Sequence, residues 1–204
     1  MSVEAELASW RRAVAELYAA VRAEADPRVA HAGWRDGRDQ LFRGHPQSPL
    51  AADDPLRASG LPYWDYDPAL RVTAPLREVA EPAELAVPTA TDGIIRMRRI
   101  GRVELPAPVG GTLDVWWLLQ YGGGIFLPLR DGTAGRDSYG GGRYLLDTAK
   151  GADLGGTPDA LVVDLNFAYH PSCRYQPRWQ CPLAPEGNRT TAPVRAGERL
   201  IRAA

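Results

Sequence analysis

The chain has little of what anchors a protein in a membrane or carries it out of the cell. No apolar run approaches the ~20 residues that span a bilayer. Charges within Met1–Arg12 interrupt the apolar stretch that a signal peptide requires. We therefore expect a cytoplasmic protein with no membrane partner. Lysine is also scarce, since Lys150 is the sole one, and nothing around it in the sequence points to a Schiff-base role.

The common catalytic motifs are missing as well. The sequence contains no G-x-S-x-G, no H-E-x-x-H, no C-x-x-C and no glycine loop ending in Lys-Ser or Lys-Thr. The glycine runs 122–124 and 140–142 precede strand-like segments, without the helix whose N-terminus would bind a phosphate. We interpret them as turns or bulges. No cofactor is predicted.

Charge of one sign is not in excess. The 24 basic and 25 acidic residues leave a net charge of -1. Such a balance does not build the positive field on which phosphate-backbone binding depends, so we expect no nucleic-acid partner. An apolar fraction of 45% is typical of globular proteins, and 204 residues suit a single domain, 1–204.

The N-terminal region predicts helices. The large apolar residues of 4–25 recur every three or four positions, which forms the stripe of an amphipathic helix that ends near Asp26-Pro27. The stripe consists of Leu7, Trp10, Val14, Leu17 and Val21. We expect it to dock on its own domain, with a homodimer seam as the alternative. A second short helix over Trp34–Phe42 would end before His45-Pro46 and complete a helical preface, 1–43.

The rest of the chain predicts β-structure. Residues 44–69 are rich in Pro, Gly and Asp and carry aromatics, so we expect an irregular segment packed on the core. From Leu70 onward, short segments punctuated by turn residues indicate an antiparallel β domain, 70–204. The predicted strands are 70–79, 85–91, 94–105, 113–121, 125–131, 139–148, 160–169 and 190–201. The fold class is mainly β (α+β), with about eight strands in an antiparallel barrel or, as second choice, a sandwich.

Local patterns refine this prediction. Bulky apolar residues on both faces of 113–121 indicate a central strand that is covered on both sides. Pro128 predicts a sheet edge or a bulge. Turns are expected at Thr91-Asp92-Gly93 and Asp131-Gly132.

The strand 160–169 carries one polar face. With strict alternation, Asp164, Asn166, Ala168 and His170 point away from the apolar face. Either this face is solvated, or it faces a barrel interior in which Ala168 leaves room for a ligand and Asp164 or His170 exchanges protons.

Arg143, on another predicted strand, is the natural partner for Asp164 or for an anionic substrate. We predict that Asp164, Asn166 and Arg143 form one buried cluster, since a buried charge requires a partner. The catalytic candidates are Asp164, His170 and Arg143. The ligand-binding candidates are Arg143, Asp164, Asn166, Tyr169, Tyr139 and Arg130.

The cysteines lie close to His170 in the sequence. His170, Cys173 and Cys181 are three potential metal ligands within twelve residues, which falls short of the four of a structural zinc site. No metal is therefore predicted, and these three residues are the weak alternative. A Cys173–Cys181 disulfide is sterically conceivable, but two buried thiols are favoured in the cytoplasm.

Several short blocks occur in a fixed order over residues 34–199. They are Trp34-Arg35-x-x-Arg38-Asp39-x-Leu41-Phe42, His45-Pro46-Gln47-Ser48-Pro49-Leu50, Gly60-Leu61-Pro62-Tyr63, Phe126-Leu127-Pro128-Leu129-Arg130-Asp131, Tyr139-Gly140-x-Gly142-Arg143-Tyr144-Leu145, Asp164-Leu165-Asn166-Phe167-Ala168-Tyr169, and Cys181-Pro182-Leu183 with Asn188. This order resembles the bacterial and archaeal family catalogued as domain of unknown function 1684. The family more often has Asn at the position of His170. The resemblance implies a whole-chain domain and brings no activity with it.

Two functions fit these observations. The first is a small-molecule-binding β-barrel, with or without catalysis on a small polar or anionic substrate. The second is a non-catalytic structural or interaction domain whose Trp10 stripe binds a partner.

Overall fold

A computed structural model describes residues 2–89 and 93–201 of the chain. Its helices are α1 (Val3–Ala23), α2 (Pro27–Gly44) and the single turn α3 (Leu56–Ser59). No helix in the described part of the chain is long and apolar enough to cross a membrane. Asp26 caps α2 by accepting from the backbone N–H groups of Arg28 and Val29. The prediction placed the start of the second helix too late, because Asp26-Pro27 ends α1 and also starts α2.

The stripe of α1 packs on the protein's own core, as predicted. Tyr18 and Val21 are buried, and the ring of Trp10 lies 5.6 Å from the ring of Phe42 on α2. Gly151, which follows β6 and its 3-10 turn, faces α1 closely. A Cβ built on Gly151 would lie 3.0 Å from the Cα of Ala15, and its φ of 88° suits glycine. The glycine therefore lets the helix approach the sheet.

The strands form two antiparallel sheets. Their bounds are β1 (Arg71–Pro75), β2 (Glu84–Pro88), β3 (Ile94–Glu104), β4 (Thr112–Leu118), β5 (Ile125–Leu129), β6 (Arg143–Asp147), β7 (Gly156–Thr157) and β8 (Ala160–Asp164). The five-stranded sheet has the order β2-β3-β4-β5-β6, and the three-stranded sheet has the order β1-β8-β7. The mainly-β prediction is confirmed and the barrel is wrong, because β2 and β6 do not pair to close the larger sheet. A sandwich-like fold fits.

Two predicted strands differ in the structure. The segment 160–169 leaves the strand conformation after Asp164, whose side chain caps the 3-10 turn Leu165–Phe167. The alternation therefore stops there, and the whole run 163–168 is buried. The segment 190–201 forms no strand. The short β7 was not predicted, and Thr91 and Asp92 of the predicted turn lie outside the described residues.

The five-stranded sheet is covered on both faces. Leu113 and Val115 of β4 belong to the main core, which also contains the helices. Trp116 belongs to a second cluster with Met97 and Phe126. This confirms that β4 is a central strand. Pro128 lies at a bulge of β5, which has β4 and β6 as neighbours, so the bulge alternative is the correct one.

An arginine fixes the segment that replaces the last predicted strand. We call Val194–Glu198 the C-terminal strap. Arg143 of β6, fully buried, donates to the carbonyls of Val194 (2.8 Å), Ala196 and Glu198 (3.1 Å). Its Nη2 also donates to Asp131 Oδ2 at 2.7 Å. These carbonyls are satisfied by a guanidinium rather than by a neighbouring strand, which explains the irregular backbone.

The C-terminal strap occupies the space beside Ala168, where the sequence analysis predicted room for a ligand. Gly197 has a φ of 72°, and a Cβ built on it would lie 2.4 Å from the carbonyl oxygen of Ala168. The backbone of Gly197 thus packs directly on Ala168. The expectation that Ala168 leaves space for a ligand is wrong.

We expect Arg143→Ala and Asp131→Ala to destabilise the protein by about 3–5 kcal/mol each, because each leaves a buried charge without its partner. In the double variant, the loss in free energy of unfolding should be clearly less than the sum of the two single losses. Denaturant unfolding measures all three. The exposed pair Arg77 and Glu104 is the control, with an expected loss of about 0–1 kcal/mol. Additive losses for Arg143 and Asp131 would contradict the assignment.

Candidate functional site

Asp164 and Asn166 form a buried pair, as predicted, but without Arg143. Asp164 Oδ1 accepts from the backbone N–H of Asn166 (3.0 Å) and from its Nδ2 (2.8 Å). Asp164 Oδ2 lies 3.3 Å from Nη1 of Arg71, the residue opposite it on β1. Arg143 binds Asp131 instead, so the predicted Arg143–Asp164 pairing is wrong. The antiparallel register of β1 and β8 supplies the nearer cation.

The Asp164–Asn166 pair is hydrogen-bonded to two other parts of the chain, the segment at Asp67 and the helix α2. The side chain of Asn166 accepts from the N–H of Asp67 (2.9 Å) and donates to its carbonyl (2.8 Å). The Asn166 carbonyl accepts from His31 Nε2 of α2 at 2.9 Å. Burial raises the pKa of Asp164, partly opposed by Asn166 and Arg71. These polar groups are occupied by contacts within the fold, and their predicted role in ligand binding stays a prediction.

The other candidates are distributed over a neighbouring loop. Arg130 Nε donates to the carbonyl of Gly140 at 2.8 Å and so holds the connection between β5 and β6. The backbone N–H of Tyr139 donates to His170 Nε2 at 3.1 Å. Because Nε2 accepts, the ring proton of neutral His170 is on Nδ1.

His170 belongs to a buried network with the strap. Its Nδ1 faces Glu198 Oε1 at 3.4 Å, and its backbone N–H donates to Glu198 Oε2 at 2.9 Å. Arg38 Nη2 of α2 donates to the same Oε2 at 2.9 Å. Burial alone would raise the pKa of Glu198, but the facing His170 and Arg38 lower it below its ordinary value. Nε2 of His170 thus accepts a backbone hydrogen bond, while Nδ1 faces Glu198 Oε1, an oxygen that has no hydrogen-bond partner in the described chain.

A crevice opens beside this network, between α1, α2 and the end of β6. We call it the helix–sheet crevice. Its inner cavity has a volume of about 80 Å³, and its outer cavity has a volume of about 90 Å³. The two share the lining residues Trp10, Lys150, Ser172 and Cys181. The inner cavity is further lined by Val14, Tyr18, Arg38, Phe42, Tyr144, Asp147, Ala152, Tyr169, His170 and Pro171.

Two buried polar groups lack partners at the inner cavity. Asp147 is 3% exposed, and its Oδ1 has no hydrogen-bond partner within residues 2–89 and 93–201. Its Oδ2 lies 3.5 Å from Lys150 Nζ. The hydroxyl of Tyr18 is likewise without a partner in the described chain. The indole N–H of Trp34, which faces it, is a donor, so the hydroxyl proton still needs an acceptor. Burial raises the pKa of Tyr18 well above its ordinary value, which keeps the hydroxyl neutral.

The outer cavity carries cations and further unsatisfied groups. Lys150 and Arg11 line it, and both are exposed. Gln47 Oε1 and Trp179 Nε1 are buried atoms without a partner in the described part of the chain. The crevice therefore combines the cations Arg11 and Lys150 with the buried carboxylate of Asp147.

The sequence identified only part of this site. Of the predicted site residues, Tyr169 and His170 line the crevice, as does Cys181 from the weak metal alternative. The structure adds Tyr18, Arg38, Asp147 and Lys150. Asp147 had a signal in the sequence, because it is the acidic end of the otherwise apolar run 144–146.

The weak metal alternative is not assembled. Within the described residues, no three or more His, Cys, Asp or Glu side chains form a group that could hold a metal ion, and His170, Cys173 and Cys181 are no exception. Cys173 and Cys181 are free thiols and half-buried rather than fully buried.

Comparisons with known proteins identify the family. The model of the family described as "Protein of unknown function (DUF1684)" matches residues 58–199. The chain belongs to this family. A solution NMR structure of an uncharacterized protein from Haloarcula marismortui is similar, with 34% identity, a TM-score of 0.57, and coverage of 81% of this chain and 90% of that one. No curated protein matches.

The DUF1684 region supplies one wall of the crevice. Asp147, Lys150, Tyr169 and Cys181 all lie within the matched residues 58–199. The wall contributed by α1 and α2 precedes the match. The site therefore combines the β-rich DUF1684 region with the helices that the family model does not cover.

We expect His31 to make the fold of this DUF1684 protein sensitive to acid. Burial lowers the pKa of His31 from 6.5 to about 4, although its bond to the Asn166 carbonyl opposes the shift. Between these values the unfolded chain binds a proton that the folded chain does not, so stability should fall as the pH drops from 6.5 to about 4. The loss attributable to His31 is on the order of 3 kcal/mol.

Denaturant unfolding at several pH values measures this loss, and His31→Phe should remove it. Tyr66→Phe is the matched control, because it alters the ring that lies 5.2 Å from His31 and leaves the imidazole in place. An unchanged pH slope in His31→Phe would show that other groups cause the acid sensitivity.

Proposed function

We propose that the helix–sheet crevice binds a small hydroxy acid, a molecule with a carboxylate at one end and a hydroxyl at the other. The main support for this proposal is the buried carboxylate of Asp147, which lines the inner cavity and whose Oδ1 has no hydrogen-bond partner in the described chain. A buried acceptor left unsatisfied costs about 1–3 kcal/mol, so this oxygen favours a ligand that brings a donor.

The inner end of the crevice suits a hydroxyl group. Asp147 Oδ1 accepts its proton, and the neutral hydroxyl of Tyr18 donates to its oxygen. Carbon atoms of the ligand would contact the rings of Trp10, Phe42 and Tyr169, which line the same cavity. A hydroxyl is thus bonded on both sides, which a methyl group would not be.

The outer end suits a carboxylate. Lys150 Nζ lies 3.5 Å from Asp147 Oδ2, which leaves donor capacity on the ammonium group for a ligand. Arg11 lines the same outer cavity and adds a second positive charge. Two cations at the opening also favour the approach of an anion from solution.

The volume limits the ligand to a small one. Cavities of about 80 and 90 Å³ each hold roughly three water molecules. Pockets for drug-sized ligands and cofactors have volumes of about 300–1,000 Å³. We therefore propose a ligand of a few heavy atoms.

The proposal is one of binding and includes no reaction. Nε2 of His170 accepts from the backbone of Tyr139 and Nδ1 faces Glu198, and Asp164 and Arg143 hold the fold through other contacts. The alternative of a partner-binding domain has less support, because Trp10, Val14, Leu17 and Val21 of the stripe pack on the core of the chain.

The expected result is binding of glycolate, lactate and glycerate, each about tenfold more tightly than acetate, propionate or ethylene glycol, since a hydrogen bond to a carboxylate contributes about 1.5–3 kcal/mol. Titrations followed by NMR of the indole N–H groups measure this affinity. Trp10 and Trp179 line the crevice and should shift. Trp117, exposed on β4, is the internal control and should not.

Three variants test the assignment. Asp147→Asn should reduce the preference for the hydroxyl, because a neutral amide oxygen accepts a weaker hydrogen bond than a carboxylate does, and Lys150→Gln should weaken the binding of every acid. Asp36→Asn removes the same charge from an exposed position on α2 and should change neither. The proposal fails if no compound shifts Trp10, or if Asp147→Asn retains the full preference in a variant that unfolds like the wild type.

A further inference from the structure

A second cavity lies at the end of the C-terminal strap, and we call it the strap cavity. Its walls come from residues 54–56 and Pro62, from the turn around Arg174, and from residues 198–201, and its volume is about 290 Å³. Among the described residues, only His170 lines both the strap cavity and the helix–sheet crevice. The strap cavity is therefore a separate site, and its occupant does not depend on the hydroxy acid proposed for the crevice.

Hydrogen bonds within the fold hold the walls of the strap cavity in place. The backbone N–H of Arg199 donates to the carbonyl of Pro62 at 2.9 Å, which ties the residue after the strap to the segment before β1. At the start of α3, Asp54 Oδ1 accepts from the backbone N–H of Leu56 at 2.9 Å. Because these walls are already formed in the free protein, binding a ligand has to order few additional groups.

Two arginines of the strap cavity are without acidic partners. Arg174 is half-buried and Arg199 is exposed, and both line the cavity. Within residues 2–89 and 93–201, neither guanidinium group forms a hydrogen bond or an ion pair. The Arg174 guanidinium lies 5.5 Å from the centroid of the Tyr175 ring, which also lines the cavity. A guanidinium presents its donors in a planar fork that matches a carboxylate, so these two side chains favour a ligand with a carboxylate group.

The same cavity is lined by two carboxylates with unused acceptor capacity. Glu198 is fully buried, and its Oε1 has no hydrogen-bond partner in the described chain, although His170 Nδ1 faces it at 3.4 Å. Asp54 is half-buried, accepts from Leu56 and forms no ion pair with any described residue. The hydroxyl of Tyr175 is also buried without a partner in that part of the chain. An ammonium group on the ligand supplies the donors that these carboxylates lack.

Apolar side chains complete the lining, and the volume sets the size of the ligand. The apolar residues are Leu56, Pro62, Leu200 and Ile201. The 290 Å³ of the cavity hold roughly ten water molecules, compared with roughly three for each cavity of the crevice. Pockets for small molecules begin at about 300 Å³. The strap cavity therefore has room for a hydrocarbon branch beside two charged groups.

We propose that the strap cavity binds a free α-amino acid with an apolar side chain. The carboxylate of the ligand pairs with Arg174 and Arg199, and its ammonium group donates to Asp54 and Glu198. The side chain of the ligand packs on the apolar lining. A ligand with a single charged group leaves either the guanidinium groups or the carboxylates of the cavity without a partner, so full affinity requires both charged groups.

The test compares L-leucine with two analogues that each lack one charged group, 4-methylpentanoate and 3-methylbutylamine, on the full chain. Leucine should bind at least about tenfold more tightly than either analogue, because each analogue loses charge-assisted hydrogen bonds. Isothermal titration calorimetry measures the affinities, and NMR locates the site. The backbone N–H resonances of Arg199 and Leu200 should shift with leucine, whereas the indole N–H of Trp10 in the crevice should not.

Matched variants separate the two halves of the site. Arg174→Gln should weaken leucine binding by about tenfold without weakening that of 3-methylbutylamine, because only a carboxylate contact is lost. Asp54→Asn should weaken leucine and the amine but not 4-methylpentanoate. Arg178→Gln is the control, because Arg178 is exposed, lies over the ring of Trp179 and is outside the lining of the cavity. Denaturant unfolding checks that each variant is folded like the wild type.

Four results would overturn the proposal. The first is the absence of leucine binding, and the second is binding of 4-methylpentanoate as tight as that of leucine, which indicates a general anion site. The third is a shift of Trp10 with leucine, which places the ligand in the crevice. The fourth is an unchanged leucine affinity in a folded Arg174→Gln variant, which excludes the contact to the carboxylate.

Discussion

A buried arginine must have acceptors for its donors, and this requirement shapes the core of the protein. Arg143 is fully buried on β6, where a carboxylate alone would not satisfy its guanidinium. Asp131 accepts from Nη2, and the carbonyls of the C-terminal strap accept from both Nη1 and Nη2. The strap is therefore pinned against the sheet although it forms no strand. Gly197 makes this possible, because a side chain at that position would collide with the backbone at Ala168.

The pinned strap places the second buried ion network. It carries Glu198 into the core, where Arg38 and the backbone N–H of His170 donate to Oε2 and His170 Nδ1 faces Oε1 at 3.4 Å. Arg38 in turn lies about 5 Å from the ring centroids of Trp34, Phe42 and Tyr169, which adds cation–π attraction to the ion pair. The floor of the helix–sheet crevice is thus formed by side chains with little freedom. A preorganised wall of this kind lowers the entropy cost of binding a small molecule.

The buried acids of this chain differ in whether their oxygens are already satisfied. Asp164 and Asp131 face cations and backbone or side-chain donors at both of their carboxylate oxygens, which is the arrangement expected of groups that stabilise the fold. Asp147 and Glu198 are equally buried, yet Oδ1 of Asp147 and Oε1 of Glu198 have no hydrogen-bond partner in the described chain. Glu198 Oε1 faces the ring of His170 at 3.4 Å, and Asp147 lines the inner cavity of the crevice, where we place the hydroxy acid.

The sequence by itself determined the amphipathic helix α1, its docking on the core, most of the strands and the central place of β4, because apolar periodicity reports which face is buried. It also determined the family, through blocks that span 34–199. It did not determine that the strand from Ala160 ends at Asp164, nor which cation meets that carboxylate. Strict alternation fails where a side chain caps its own backbone, and partners such as Arg71 depend on strand register. Only the tertiary structure decided where the crevice lies and what lines it, because its residues Tyr18, Arg38, Asp147 and Cys181 come from four distant parts of the chain. A cavity depends on how closely the packed elements fit together, which no local sequence pattern reports.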